Sequence, residues 1–329
     1  MLPTIKLLIV LAHKKDFFEL IRYMQEKFFH GTYDIQEKTL MNSCKGVCAF
    51  YICTFTWCTL LTVFSYVVSP IIANIERNGT DRLLPFRMWM DIFYVTPYFE
   101  ITFVVQSLSL YQVGVCYMCF DNLLCIMNLH TACQFRILQY RLKNIPNIVI
   151  EKCVENSKSL TPDSADKHYA TFRNYVQQHQ LLIAYCAKFE KVFSVFALAQ
   201  VLVFSSLICL DGYQVLMADV PMSTRMIFIF HTLGCTSQLF MFTYSCDCIM
   251  KDSENVATAM YATTWSYLPM DNNGRALRKD LILAILYSGV PCCLTAHKFF
   301  PVSLETYTGV MSTAVSYFTL LKQRTSETT

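Results

Sequence analysis

Lys45-GVCAFYICTFTWCTLLTVFSYVVSPIIANI-Glu76 runs for 30 residues between its two end charges without an Asp, Glu, Lys or Arg. As a helix it would be about 45 Å long, more than the roughly 30 Å hydrocarbon core of a bilayer. The stretch therefore reads as a membrane span. Working outward from it, 20 uncharged residues lie between Glu100 and Asp121, 19 between Lys191 and Asp211, and 21 between Arg225 and Asp247. Each is close to the ~20 residues that a crossing needs. The last apolar region is divided. Leu281 to His297 holds 17 uncharged residues, Lys298-Phe-Phe-Pro301 follows, and Val302 to Leu321 is broken only by Glu305. Pro301 suits a first helical turn, where its missing N–H is an orphan anyway. The fifth span is therefore placed at 301–321, with the 281–297 helix at or below the membrane surface. The fold class is all-α, a polytopic membrane helix bundle of about five transmembrane helices.

Composition agrees. The 329 residues are 54% hydrophobic and 16% charged, with mean hydropathy +0.36, whereas soluble domains carry roughly 25% charged residues. Basic and acidic residues, 27 against 24, nearly cancel, so no nucleic-acid partner is expected. Most of the 16 cysteines stand inside apolar runs, as small, soft packing residues do. The closest groupings, Cys116 with Cys119 and Cys246 with Cys248, lack a second pair with a nearby histidine. No metal site is expected from such spacing.

Lys and Arg accumulate in cytoplasmic connections. Residues 12–45 and the connections 121–191 and 247–298 together hold 20, against 6 in the alternate segments. That asymmetry predicts a cytosolic N-terminus and an extracellular C-terminus. The glycosylation sequon Asn78-Gly79-Thr80 falls in a loop that the same counting puts outside. The organisation expected is a cytosolic segment 1–45 and two spans with their outer loop over 46–120. Cytosolic helical extensions follow at 121–191, the third and fourth spans at 192–246, and cytosolic anchor helices at 247–300. The last span occupies 301–321, and 322–329 is an outer tail. Apolar residues at helical spacing over 121–143 and 172–189 predict that both neighbouring spans continue beyond the membrane. The polar stretch Asn147 to Lys167 is expected to be disordered.

No Walker loop, dinucleotide fingerprint, H-E-x-x-H or G-x-S-x-G occurs, so neither an enzyme nor a cofactor is expected. With nine glycines, span association is expected to rest on other small residues and on polar contacts. Two ionisable groups invite weighing. His231, early in the fourth span, lines a ligand cavity or bonds a neighbouring helix. Glu305, in the first turn of the last helix, suits the helix dipole. Aromatic residues of the first two spans, Tyr66, Tyr98 and Phe103 among them, line an apolar pocket or form an interfacial belt.

The C-terminal third carries Tyr261-Ala-Thr-Thr-Trp265, Arg278-Lys279, Pro291, Leu294-Thr-Ala296, Lys298-Phe-Phe-Pro-Val-Ser-Leu-Glu-Thr-Tyr307 and Ser316-Tyr-Phe-Thr-Leu-Leu321. In order and spacing this resembles the insect odorant receptor family, and weaker likeness extends upstream through Asp121–Leu138 and His179–Glu190. The chain departs at its beginning. Family members have seven spans, and Ile5 to Phe29 looks like the inner end of the second.

The resemblance implies an odorant-gated cation channel formed as a heterotetramer with the odorant co-receptor, in the plasma membrane of olfactory sensory neurons. It implies a small volatile odorant among the outer halves of the spans, with Tyr66, Tyr98, Phe103 and His231 as ligand-binding candidates. It also implies a pore lined by the last span, with Leu320 at a hydrophobic gate between Tyr317 and Gln323. The alternatives are a gustatory-type receptor of the same superfamily and a truncated, non-functional receptor.

Overall fold

The computed structural model describes residues 2–75, 82–144, 162–216, 222–262 and 272–328. They are nearly all helical. In chain order the helices are α1 (Leu2–Ala12), α2 (Lys14–Tyr23), α3 (Ile35–Asn74), α4 (Tyr98–Lys143), α5 (Pro162–Leu216), α6 (Met222–Tyr261), α7 (Asn272–Ser288) and α8 (Leu304–Thr328), with a π-helical turn at Met24–Phe29. Among the described residues there is no strand, and a single β-bridge joins Thr295 to Pro301.

Helices α3 to α6 include stretches long and apolar enough to cross a membrane. Helix α4, with 46 residues, is about 69 Å long, more than twice the hydrocarbon thickness. Its two halves differ. Ile101, Val104, Leu108 and Tyr111 are exposed, whereas Leu124, Met127, Phe135, Leu138 and Leu142 are buried. The exposed apolar half is what a lipid-facing helix presents. The buried half packs against α5 and α6 in one hydrophobic core that also takes in Phe17 and Leu20 of α2. The expected extension of spans beyond the membrane is present in this form.

Spans rich in hydroxyls need those groups satisfied in lipid. In α3, Thr54, Thr59, Thr62 and Ser65 each donate to the carbonyl four residues back. In α8, Thr313, Ser316 and Thr319 do the same. Helix α8 has 25 residues, enough in length for the fifth span, with Glu305 in its first turn as the helix dipole favours.

Three boundaries differ from the sequence reading. Helix α7 ends at Ser288 rather than continuing to His297, because Gly289 and Pro291 follow and stop it. Pro301 does not open the last helix, which begins at Leu304. It stands instead in a strap, 289–303, in which Val302 N–H donates to Leu294 and Ala296 N–H to Phe300. His297 and Lys298 turn the strap with φ of 49° and 65°. The His297 amide reaches the Ser194 carbonyl of α5 at 3.1 Å, and the Thr295 hydroxyl meets Glu190 at 2.6 Å. Finally, residues 162–167 of the stretch expected to be disordered lie in α5. The rest of that stretch lies outside the described residues.

Single glycines also pack helices closely, contrary to expectation. A Cβ on Gly114 would stand 3.3 Å from Val63, and one on Gly212 would clash with the Cζ edge of the Phe318 ring.

Candidate functional site

Helix α3 brings Tyr66, α5 brings Asp211 and α6 brings His231 to the end of the bundle where the α3–α4 loop lies. His231 Nδ1 is 2.7 Å from Asp211 Oδ2, with the Asp211 side chain almost wholly buried and His231 part-exposed. The Cys235 thiol, one turn along α6, lies 3.9 Å from the imidazole. The Tyr66 ring meets His231 edge-on at 6.5 Å between centroids and stacks on Phe86 at 5.8 Å.

Phe86 belongs to the α3–α4 loop, and polar contacts hold that loop in place. Gln106 of α4 accepts from the Phe86 amide at 2.9 Å and donates to its carbonyl at 3.1 Å. Asn74 does the same for Leu83, at 2.6 and 2.8 Å. Arg82 pairs with Glu100 at 3.3 Å and lies over the Phe99 ring at 5.3 Å. Phe86 is thus fixed as a cover beside Tyr66 by its own backbone hydrogen bonds.

The arrangement is an aromatic surface with one polar end. Asp211 occupies Nδ1 of His231, and the other ring nitrogen has the Cys235 thiol at 3.9 Å, a weak partner that a ligand hydroxyl or carbonyl can displace. A few convergent polar groups among aromatic side chains is the pattern of small-molecule sites. Asp211, His231 and Cys235 offer ligating atoms within 4.8 Å of one another, but the aspartate and imidazole already satisfy each other by hydrogen bonding.

The four residues expected at the ligand are only partly gathered. Tyr66 and His231 meet. Tyr98 and Phe103 stand on the first turns of α4, with Phe103 against Phe99 at 6.2 Å and Tyr98 exposed. No ring contact joins either of them to Tyr66 or His231 among the described residues. Asp211 was missed as a partner because in the sequence it only marks the end of an uncharged run. Its 20-residue separation from His231 gives no signal that the two meet.

On α8, Tyr307, Val310, Met311 and Phe318 pack on the core and Ala314 is buried in it. Tyr317 and Leu320 are exposed, as is Gln323. The three residues expected at the pore therefore share the face turned away from the chain's own bundle. An open groove of ≈ 810 Å³ between α5 and α8, edged by Ser205, Glu305 and Thr313, runs beside that helix. Asn78 lies outside the described residues.

A sequence model of the family described as 7tm Odorant receptor matches residues 1–315. The chain is 25% identical over 299 residues to odorant receptor 13a of Drosophila melanogaster, covering 85% of this chain and 68% of that protein. It is 24% identical over 246 residues to odorant receptor 10 of Aedes albopictus, covering 74% and 60% respectively. It thus spans roughly two thirds of the length of these relatives. The olfactory receptor OR5 from Machilis hrabei in complex with eugenol superposes with a TM-score of 0.79 at 11% identity. That match covers 98% of this chain and 78% of the other.

Proposed function

Because the chain belongs to the 7tm odorant receptor family, of the insect type, we propose that it is a ligand-binding odorant receptor subunit. In this reading it takes a small volatile molecule at the Tyr66–Asp211–His231 site and opens a cation channel together with the odorant co-receptor. The observation that carries the reading is the family match, continuous over 1–315.

The charge asymmetry places the α3–α4 loop outside the cell, so the site faces the odorant side and the buried half of α4 lies in the cytosol. Phe86 and Tyr66 cover the apolar body of the ligand, and His231 bonds its one polar group. Helix α8 is the fifth crossing, and its outward face with Tyr317, Leu320 and Gln323 meets the neighbouring subunits around the pore. A hydrophobic ring of this kind gates by dewetting. The receptor resides in the plasma membrane of olfactory sensory neurons.

The test is odorant-evoked cation current in cells expressing this chain with and without the co-receptor, over a broad panel of volatile alcohols, esters and phenols. Current is expected only with both chains. His231→Ala should raise the half-maximal concentration roughly 2- to 12-fold, the worth of one hydrogen bond of about 0.5–1.5 kcal/mol. Phe64→Ala, on an exposed face of α3, should leave it unchanged. Silence across the panel, in cells where the co-receptor still answers its own agonist, would overturn the reading. Current without the co-receptor would favour a gustatory-type receptor.

A further inference from the structure

Four potential metal ligands converge on the opposite half of the bundle, away from the site described above. Cys44 and Cys48 stand one turn apart on α3, and His130 and Cys133 three residues apart on α4, so each pair shares a helix face. All four are buried, His130 to 3% exposure. The ligating atoms of Cys44, Cys48 and His130 lie within 4.8 Å of one another. Cys133, at 2% exposure, stands beside His130 on the same face of α4, the Cys44 thiol donates to the Leu129 carbonyl at 3.3 Å, and every one of these cysteines is free.

Ordinary packing accounts for buried thiols, but not for the imidazole among them. His130 Nδ1 is buried with no hydrogen-bond partner, an omission worth about 1–3 kcal/mol. Its ring is held edge-on against Phe29 at 4.8 Å.

We propose that Cys44, Cys48, Cys133 and His130 form a structural zinc site that ties the start of α3 to the buried half of α4. Three thiolates and one imidazole are a recognised closed tetrahedral set for this ion. Its bonds, about 2.3 Å to sulfur and 2.0–2.1 Å to nitrogen, set ligand atoms somewhat less than 4 Å apart. Binding releases the three thiol protons to solvent and leaves a singly negative centre. The ion would join two helices within the half of α4 that the chain's own core buries.

The first measurement is the metal content of the full chain, purified in detergent under reducing conditions with zinc supplied. About one zinc ion per chain is expected. Replacing zinc with cobalt should give the intense thiolate-to-cobalt absorption of a tetrahedral sulfur-rich site, a readout that needs no variant. Cys48→Ser should lose the metal, and Cys53→Ser, exposed on α3, should retain it. Monodisperse protein without stoichiometric metal and without the cobalt band would overturn the proposal. So would equal loss in Cys53→Ser, or a Cys44–Cys133 disulfide found by mass spectrometry.

Discussion

Gly212 of α5 lacks a side chain where Phe318 of α8 needs the room. This contact, just past the middle of α8, helps decide how closely that helix lies against the rest of the chain. Gly212→Ala should therefore destabilise by about 1–3 kcal/mol, the usual cost of overpacking, read as a lower midpoint of thermal unfolding in detergent. Adding Phe318→Leu should restore part of the loss. A Gly212→Ala chain as stable as the parent would show that α8 does not depend on this contact. The same scale explains the candidate site. His231 is held not by its own helix but by Asp211, so its ring orientation is set across a helix interface. Neither residue type at its position announces the other.

At the scale of elements, Glu37 does two jobs at once. It completes the capping box of α3, accepting from the Asp34 amide at 3.1 Å. It also takes a two-pronged hydrogen bond from Arg141 at the end of α4, at 2.6 and 2.9 Å, while Arg141 reaches Gln178 of α5 at 3.0 Å. Three helices thus meet at the Arg141 guanidinium. Burial works to raise its pKa, but the Arg141 hydrogen bond, the Asp34 amide and the Arg141 charge outweigh it and hold the carboxyl below its ordinary 4.5. A pKa depressed in the folded state means stability that is fully present above the unfolded value. It is lost as pH falls through the folded one. Unfolding of the purified chain should therefore become easier as pH falls below 4.5, and Glu37→Gln should flatten that acid slope. Arg141→Ala should cost about 1.5–3 kcal/mol at neutral pH, the range for hydrogen bonds to charged groups. An acid slope unchanged in Glu37→Gln would remove this carboxylate from the account. The strap between α7 and α8 works by the same logic. Its motif residues are legible as a family signature, yet their work is to bury Leu294, Ala296 and Val302 and bond α5.

At the scale of the molecule, the helices divide into a half exposing apolar surface and a half sharing one core. The first asks for lipid or neighbouring subunits, and the second for none. Leu320 and Tyr317 belong to the exposed half, on the face of α8 that the chain's own core leaves free. On the proposed reading that Leu320 stands at the gate, Leu320→Thr should wet that constriction. The expected outcome is a larger standing current, in the absence of odorant, when the variant is expressed with the co-receptor. Unchanged standing current and unchanged odorant gating would place Leu320 against lipid instead.

The sequence by itself determined the membrane class, the long helices and the family. Uncharged runs, helical periodicity and a motif of fixed spacing are properties of neighbouring residues, and lipid imposes them locally. It also singled out His231 and Tyr66. Only the tertiary structure decided what those residues touch, where α7 stops and α8 starts, and which ions pair in the interior. Lys6 meets Asp121 at 2.6 Å across 115 residues, and Arg141 meets Glu37 across 104. Cys44 and Cys48 face His130 and Cys133 from a different helix, so a search for metal spacing along the chain passes them by. Charge pairing and ligand convergence depend on distance in space. Distance along the chain is all that a sequence displays.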